Sequence, residues 1–446
     1  MTLKFGTDGV RGVANSELTP ELALALGRAA ARVVGGRRWL IGRDTRRSGP
    51  SLAAALAAGL ASEGVDVVDL GVLPTPAVAH LSAVDGVGAA MISASHNPFA
   101  DNGIKLFAPG GRKLSDDVEE ALEAELTALG TQGDPRPRPL GADVGTLATD
   151  LDAVHRYRDR LVHEVLEGRR LDGLRVVVDT ANGAAAGLAT EVLRALGADV
   201  SAIHDEPDGL NINDGCGSTH PGDLQAAVVA AGAQVGLAFD GDADRVLAVD
   251  AEGALVDGDQ IIAVCAIDRR RRGVLAEDTV VVTVMSNLGF RQGMAAHGIE
   301  VVDTQVGDRY VLEELDRNGY SLGGEQSGHV IFRDLATTGD GLLTGLFLLD
   351  LVVRSGRPLA DLAAEAMVRL PQVLVNVRTA QRRPDLAHLV AGPLAEAEAR
   401  LGARGRVLLR SSGTEPVVRV MVEAPTDGEA HEVAHDLDAA VRSTAG

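Results

Sequence analysis

At 446 residues the chain is too long for a single hydrophobic core and calls for three or four domains. Apolar residues make up 46% of it but aromatics only 2%, so those cores must be Ala, Val and Leu packed between helix and sheet. A net charge of −21 argues against nucleic-acid and anionic-membrane partners, while leaving room for an anionic small molecule held in a local basic pocket.

Along the chain one pattern recurs three times. The first copy runs through the strand Trp39–Asp44, a Ser/Gly loop, a helix to about Ser62, and Gly64 into Val65–Val68. The second runs from Leu174–Asp179 through an Asn/Gly loop and a helix to about Leu196, then Gly197 into Ala198–Val200. The third runs from Val280–Val284 through Ser286-Asn287 and a helix to about His297, then Gly298 into Ile299–Val302. Each reads as strand, turn, helix, glycine stop, strand, the unit of a parallel or mixed sheet covered by helices. The Pro-rich stretch 131–141 closes a first domain at 1–150. The strand after an acidic loop closes a second at 151–251, and a third spans 252–370. Pro371 opens a fourth, 371–446, whose order of strand, helix (Pro384–Leu401), strand, strand, helix is α+β and not a fourth copy.

The cation inventory is lopsided. Of 42 basic residues only Lys4, Lys105 and Lys113 are lysines. Arg cannot deprotonate near neutrality whereas a desolvated Lys can, so Lys105, ten residues after Ser95, is a candidate proton shuttle as well as a candidate surface lysine. The two cysteines, Cys216 and Cys265, lack CxxC spacing and imply neither a disulfide framework nor a zinc site. The start MTLKFGTDGVRG has no apolar signal core, and no uncharged apolar run is long enough to cross a bilayer, so a soluble cytoplasmic protein is expected.

Four loops carry chemistry. Ser93-Ala94-Ser95-His96-Asn97-Pro98 follows the apolar strand Gly88–Ile92, at the kind of strand end where open α/β sheets bind ligands. Its small residues let other groups approach Ser95, and His96 and Asn97 offer donors to phosphate oxygens; alone, it also suits an Asn-Pro turn. Asp240-Gly241-Asp242-Ala243-Asp244-Arg245 lies between two buried-type strands, and short Asp side chains on a tight loop can converge on one hard cation such as Mg²⁺. A calcium EF-hand fails here, because loop positions six and twelve are Arg245 and Ala251. Gly323–His329 (GGEQSGH) offers Glu325 and Ser327 to vicinal hydroxyls, or forms a Gly-rich hairpin. Arg410-Ser411-Ser412-Gly413-Thr414-Glu415-Pro416, with Arg419 beyond it, reads as a phosphate cradle or a Ser/Thr turn. Neither a P-loop nor a strand-linked GxGxxG occurs, so no nucleotide is implied.

FGTDGVRG (Phe5–Gly12), SASHNP, DGDADR, GDRYV (Gly307–Val311), GEQSGH and RSSGTEP together resemble the α-D-phosphohexomutases, in the same order and over essentially the whole chain. GEQSGH, FGTDGVRG and NGIKLF (Asn102–Phe107) resemble the branch acting on glucosamine phosphate rather than mannose or glucose phosphate. The resemblance implies three homologous mixed-sheet α/β/α domains and a C-terminal TATA-binding-protein-like α+β domain around a central cleft. It implies an isomerase, an intramolecular phosphotransferase with Ser95 stored as phosphoserine and one Mg²⁺ per subunit on the Ser95 phosphate, Asp240, Asp242 and Asp244. Arg410, Ser411, Ser412, Gly413, Thr414 and Arg419 would hold the substrate phosphate, and Glu325 and Ser327 the sugar. Lys105 would take a proton, with His96 also at the reacting centre. Arg245 and Arg11 would steady the phosphoserine and Arg309 would face substrate. Glucosamine 6-phosphate would become glucosamine 1-phosphate through a 1,6-bisphosphate, feeding UDP-N-acetylglucosamine and peptidoglycan precursors. A sugar-phosphate sensor without catalysis would keep the Arg410 loop but have no use for Ser95, Lys105 and three aspartates. A homodimer is compatible with the sequence, which leaves the oligomeric state open.

Overall fold

The computed structural model describes residues 9–130, 136–379, 389–411 and 417–445. Among them four sheets follow one another along the chain. The first sets Asp66–Val72, Arg38–Arg43 and Gly88–Ile92 side by side in parallel, with Asp101–Ala108 returning antiparallel to Gly88–Ile92. The second repeats that order with Asp199–Ile203, Arg175–Asp179 and Val235–Phe239, then antiparallel Val246–Asp250. The third repeats it again with Glu300–Thr304, Thr279–Thr283 and Leu322–Gly324, then antiparallel Val330–Phe332. The threefold pattern in the sequence is therefore a threefold repeat of topology. Gly64, Gly197 and Gly298, which end the three helices, all have positive φ (87°, 96° and 66°), a conformation open to glycine at little cost.

The third strand of the first two copies, Gly88–Ile92 and Val235–Phe239, is buried at every residue. Strands covered on both faces read as continuous apolar runs, which is how these segments appear in the sequence. The cores are Leu, Val, Ile and Ala with few rings: the first holds Trp39 among some twenty aliphatic side chains. The fourth sheet is different. Gln372–Arg378, Val417–Glu423 and Arg406–Ser411 are wholly antiparallel, and Val418, Val420 and Val422 pack against the helices Ala391–Leu401 and Asp427–Ala445. The first part of the expected helix from Pro384 lies outside the described residues.

Two compact units result, Met1–Met285 with Ile299–Ala363, and Ser286–Gly298 with Ala364–Gly446. Within the second, the helix Leu288–Ala296 is tied down by polar contacts. The Leu288 N–H donates to Glu423 at 2.8 Å, and the Asn287 side chain exchanges hydrogen bonds with the backbone of Leu370. Glu423 is fully buried and also pairs with Arg406 at 2.7 Å. No helix among the described residues is long and apolar enough to cross a membrane.

Candidate active site

The three repeats place their motif loops at one topological position, between the last parallel strand and its antiparallel return. In the first this is the Ser95 loop, in the second the aspartate loop, in the third the Glu325 loop. The first two meet. The Ser95 hydroxyl donates to Asp240 Oδ2 at 2.6 Å, and both residues are 1% exposed. Gly241 lets the loops approach this closely, since a Cβ there would sit 2.6 Å from the Ser95 carbonyl oxygen.

Ser95 is held in the left-handed region (φ 53°), which a non-glycine residue adopts only when its surroundings impose it. They do. Arg46 Nη2 and Asn213 Nδ2 each donate to the Ser95 carbonyl at 2.9 Å, and the same two groups also reach the Asn97 carbonyl. Arg46 further donates to the carbonyls of Pro98 and Asp101, and its Nε pairs with Asp44 at 2.9 Å with neither side chain exposed. Asp44 in turn accepts from the Ser93 hydroxyl at 2.6 Å, and Ser93 Oγ accepts the Ser95 N–H at 3.0 Å. The serine loop is thus clamped from the first and second sheets together.

In the aspartate loop Ala243 also has positive φ, 54°, and one carboxylate oxygen each of Asp240, Asp242 and Asp244 lie within 4.8 Å of one another, all three residues buried. Lys105 Nζ bonds Asp242 at 2.7 Å and Asp244 at 3.2 Å, and the Thr75 hydroxyl donates to Asp242 at 2.6 Å. Burial pushes the Asp240 carboxyl well up, and the neighbouring Asp244 and Asp242 add to it. Asp242 goes the other way: burial opposes its charge, but Lys105 and the Thr75 hydrogen bond outweigh it and hold the carboxyl well below the usual range. Asp242 Oδ1 and Asp244 Oδ1 are buried without a hydrogen-bond partner. Three buried carboxylates with oxygens this close together fit a hard divalent cation, which takes oxygen ligands and cancels the repulsion.

His96 lies beside Ser95, with Nδ1 3.3 Å from its Oγ and 3.2 Å from Arg245 Nη1. Burial, then the charges of Arg245 and Arg11, depress His96 to about 4, so the ring is neutral at neutral pH. Arg11 stands opposite Gly103 in the strand pair, its stem passing where a Gly103 side chain would be. The Arg245 N–H donates to Asp240 Oδ1 at 3.2 Å.

In the third loop Glu325 accepts the Gly307 N–H at 3.1 Å, and burial, with Asp308 nearby, pushes its carboxyl up. Ser327 is exposed. His329, 2% exposed, lies with Nε2 3.2 Å from Asp308 and 4.0 Å from Asp244, reaching from this loop to the aspartates. Arg309 departs from the expectation that it faces substrate. Its guanidinium is bound by Asp116, by Glu119 at 3.2 Å and by the Leu114 carbonyl, which makes it a tie to the helix Asp116–Gly130.

The second unit carries Arg410, Arg419 and the loop between them. Ser412, Gly413 and Thr414 lie outside the described residues. Ser411 ends its strand, and Arg410 and Arg419 are directly opposed across the strand pair. Like charges in that register repel unless an anion sits on them.

Sequence reasoning did not single out Asp44, Arg46, Thr75, Asn213 or His329. Arg46 and Asp44 sit just beyond a strand end, in an R-D-x-R run whose charge is anomalous for a buried loop. For Asn213, 118 residues from Ser95, no local signal exists.

Comparison with known proteins agrees with this geometry. Four family models match in order: phosphoglucomutase/phosphomannomutase alpha/beta/alpha domain I over 2–132, domain II over 155–253, domain III over 257–370, and the C-terminal domain over 374–440. Proteins named phosphoglucosamine mutase from Frankia alni and Streptomyces avermitilis are 57% and 56% identical, each alignment covering 99% of this chain and 99% of the relative. A phosphoglucomutase/phosphomannomutase family protein from Burkholderia thailandensis superposes with a TM-score of 0.81 at 27% identity, over 99% of this chain and 97% of that one. The fold is shared with N-acetylphosphoglucosamine mutase of Aspergillus fumigatus, solved with GlcNAc-6P and magnesium (TM-score 0.70, 20% identity, 100% and 96% coverage).

Proposed function

The chain belongs to the phosphoglucomutase/phosphomannomutase family, and on that premise we propose that it interconverts glucosamine 6-phosphate and α-glucosamine 1-phosphate. The observation that carries this reading is the Ser95 hydroxyl, 2.6 Å from a buried carboxylate in a cluster of three. A phosphoryl group stored on Ser95 Oγ is transferred to the sugar O1: the P–O bond to serine breaks, the bond to O1 forms, and the O1 proton leaves to a base. The resulting 1,6-bisphosphate then returns its 6-phosphoryl to Ser95: the P–O6 bond breaks, the bond to Ser95 Oγ forms, O6 takes up a proton, and the 1-phosphate is released. Phosphate monoesters are among the slowest biological substrates to react unaided, so the site must supply a large part of a barrier reduction on the order of 20 kcal/mol.

Asp240, Asp242 and Asp244 would hold Mg²⁺ together with the Ser95 phosphate, and the ion would supply neutralisation of charge on the transferring group. Lys105 would receive the hydroxyl proton. Its contacts with Asp242 and Asp244 favour the ammonium, so the accepting form requires another cation to compensate those carboxylates. Neutral His96 leaves Arg245 and Arg11 as the charges facing a phosphoserine. Glu325 and Ser327 recognise sugar hydroxyls, and the Arg410/Arg419 pair with the Ser411–Thr414 loop binds the non-reacting phosphate. Domain boundaries at 150, 251 and 370, and a cytoplasmic location, complete the reading.

A coupled assay with glucosamine 6-phosphate and intact mass of the purified protein test it. Turnover, a population heavier by one phosphate, and loss of both in Ser95→Ala are expected. Equal or higher kcat/KM with mannose 6-phosphate overturns the substrate assignment, and full activity in Ser95→Ala overturns the mechanism.

A further inference from the structure

The second domain holds another convergence of ligand atoms that the phosphomutase chemistry does not use. Asp179 ends the strand Arg175–Asp179, His204 follows the strand Asp199–Ile203, and Cys216 lies on the loop leading to Gly217. One carboxylate oxygen, one imidazole nitrogen and the thiol sulfur of these residues lie within 4.8 Å of one another. Asp179 and Cys216 are fully buried, and the partly exposed His204 leaves a route to solvent. His204 Nδ1 is itself buried and makes no hydrogen bond, although Asp179 Oδ2 is only 3.1 Å away. Two ligands of one tetrahedral zinc ion, each about 2.0–2.1 Å from it, stand about 3.3 Å apart. A close pair without hydrogen-bond geometry is what such ligands look like.

Three further observations point the same way. His204 Nε2 is 3.3 Å from Asp223 Oδ2, so the ring nitrogen turned away from the cluster faces a carboxylate. Metal-binding imidazoles almost always have such a partner, which fixes the tautomer that leaves the other nitrogen free to ligate. The backbone of His204 is left-handed (φ 47°), held by the Thr180 hydroxyl and the Asn182 N–H on its carbonyl at 2.7 Å each. Asp179 keeps its orientation by accepting the N–H groups of Ala181 and Gly217, both at 2.9 Å.

We propose that Asp179, His204 and Cys216 form a binding site for a thiophilic divalent cation, Zn²⁺ or a chemical equivalent, separate from the Asp240 cluster. Binding breaks the Cys216 S–H bond, forms a metal–sulfur bond and releases about one proton per site to solvent. A fourth position stays open to water. The site lies behind the serine loop. Asn213, three residues before Cys216, carries the hydrogen bonds to the Ser95 and Asn97 carbonyls, and a Cβ on Gly217 would lie 2.5 Å from the carbonyl of Phe239, the residue before Asp240. A cation at Cys216 therefore pins the segment that holds Ser95 in place.

Co²⁺ is titrated into the full chain in excess Mg²⁺, and the thiolate-to-cobalt charge-transfer band in the near ultraviolet is followed, with Zn²⁺ displacing it. A band saturating at one equivalent, lost in Cys216→Ala and His204→Gln and retained in Asp242→Asn, is expected. Asp223→Asn should weaken Co²⁺ binding about 10- to 100-fold. If Cys216→Ala does not fold, His204→Gln decides alone, since it alters a partly exposed side chain. The absence of a thiolate band at saturating Co²⁺, or a band that survives His204→Gln, overturns the proposal.

Discussion

Asp240→Asn separates what the aspartate cluster does for stability from what it does for the reaction. Carboxylates as much as 4.8 Å apart repel by about 3.5 kcal/mol per pair at an effective dielectric of 20. Asp240 has two such neighbours, and the Lys105 ammonium contacts Asp242 and Asp244. Asparagine removes both repulsions. It also removes the attraction of Arg245, no larger than either of them, and one of the two hydrogen bonds that Asp240 accepts from Ser95 and from the Arg245 N–H, worth about 1 kcal/mol. The metal-free variant should therefore be more stable than the metal-free parent by about 1–3 kcal/mol. With Mg²⁺ the order reverses. The parent gains about 4.1 kcal/mol at a metal concentration 1,000 times its Kd, and the variant, having lost a charged ligand, gains little. Mutase activity should fall by at least about 10²–10³-fold. Thermal unfolding with EDTA and with Mg²⁺, beside the coupled assay, reads all three quantities. A metal-free variant less stable than the parent, or one that keeps the Mg²⁺-dependent shift, would refute the claim that these carboxylates are held together for a cation.

Other residues give independent tests. Gly241→Ala puts a methyl 2.6 Å from the Ser95 carbonyl and must push the serine loop off the aspartates; kcat should drop at least about tenfold while far-UV circular dichroism stays unchanged, and parental kcat would contradict the close approach. Arg46→Lys keeps a charge beside Asp44 but cannot reach all four carbonyls, so about 2–4 kcal/mol should be lost in denaturant titrations together with most activity. His80, half-buried, is depressed to about 4 by burial and then by Arg160 and Arg156. Its folded pKa lies below its unfolded one, so the stability it contributes is present above about 6.5 and lost as pH falls toward 4. His80→Gln should flatten that loss, by about 1–2 kcal/mol after allowing for its partial exposure. An unchanged acid limb in the variant would show that His80 does not titrate this way.

The repeat was legible in the sequence because its punctuation is local. A glycine ending a helix and an apolar strand beginning two residues later are neighbours in the chain, and the buried strands advertise themselves as apolar runs. The Ser95 and Asp240 loops were legible for the same reason, each being a short run of polar residues at a strand end. What holds them was not. Arg46, Asn213 and Thr75 act across 49, 118 and 167 residues, and nothing about an arginine or an asparagine in a loop says which carbonyl it will reach. Arg309 shows the converse: GDRYV marked it as a site residue, but two carboxylates from the helix Asp116–Gly130 and the carbonyl of Leu114 just before it take up its guanidinium. Cys216 was set aside because no CxxC accompanied it, although Asp179 and His204 come to it from 37 and 12 residues away in sequence.

Three copies of one topology present their chemistry at one place, and the physical reason lies in the sheet. Where the last parallel strand meets an antiparallel return, the connection turns back within a few residues at the strand's C-terminal end and needs no crossover helix. Its residues are therefore free of the packing that fixes a helix face, yet anchored at both ends by fully paired strands. The same support can carry a hydroxyl in one copy, three carboxylates in the next and a Glu–Ser pair in the third. Support alone would leave the loops mobile. The left-handed residues Ser95 and Ala243 show that they are not, because such conformations persist only when neighbouring groups outweigh a strain on the order of 1–3 kcal/mol. Around Ser95 those groups come from two different copies of the repeat, Arg46 from the first and Asn213 from the second. The held conformation of Ser95 is consequently a property of the pair of domains, and neither copy alone contains the contacts that hold it against the aspartates.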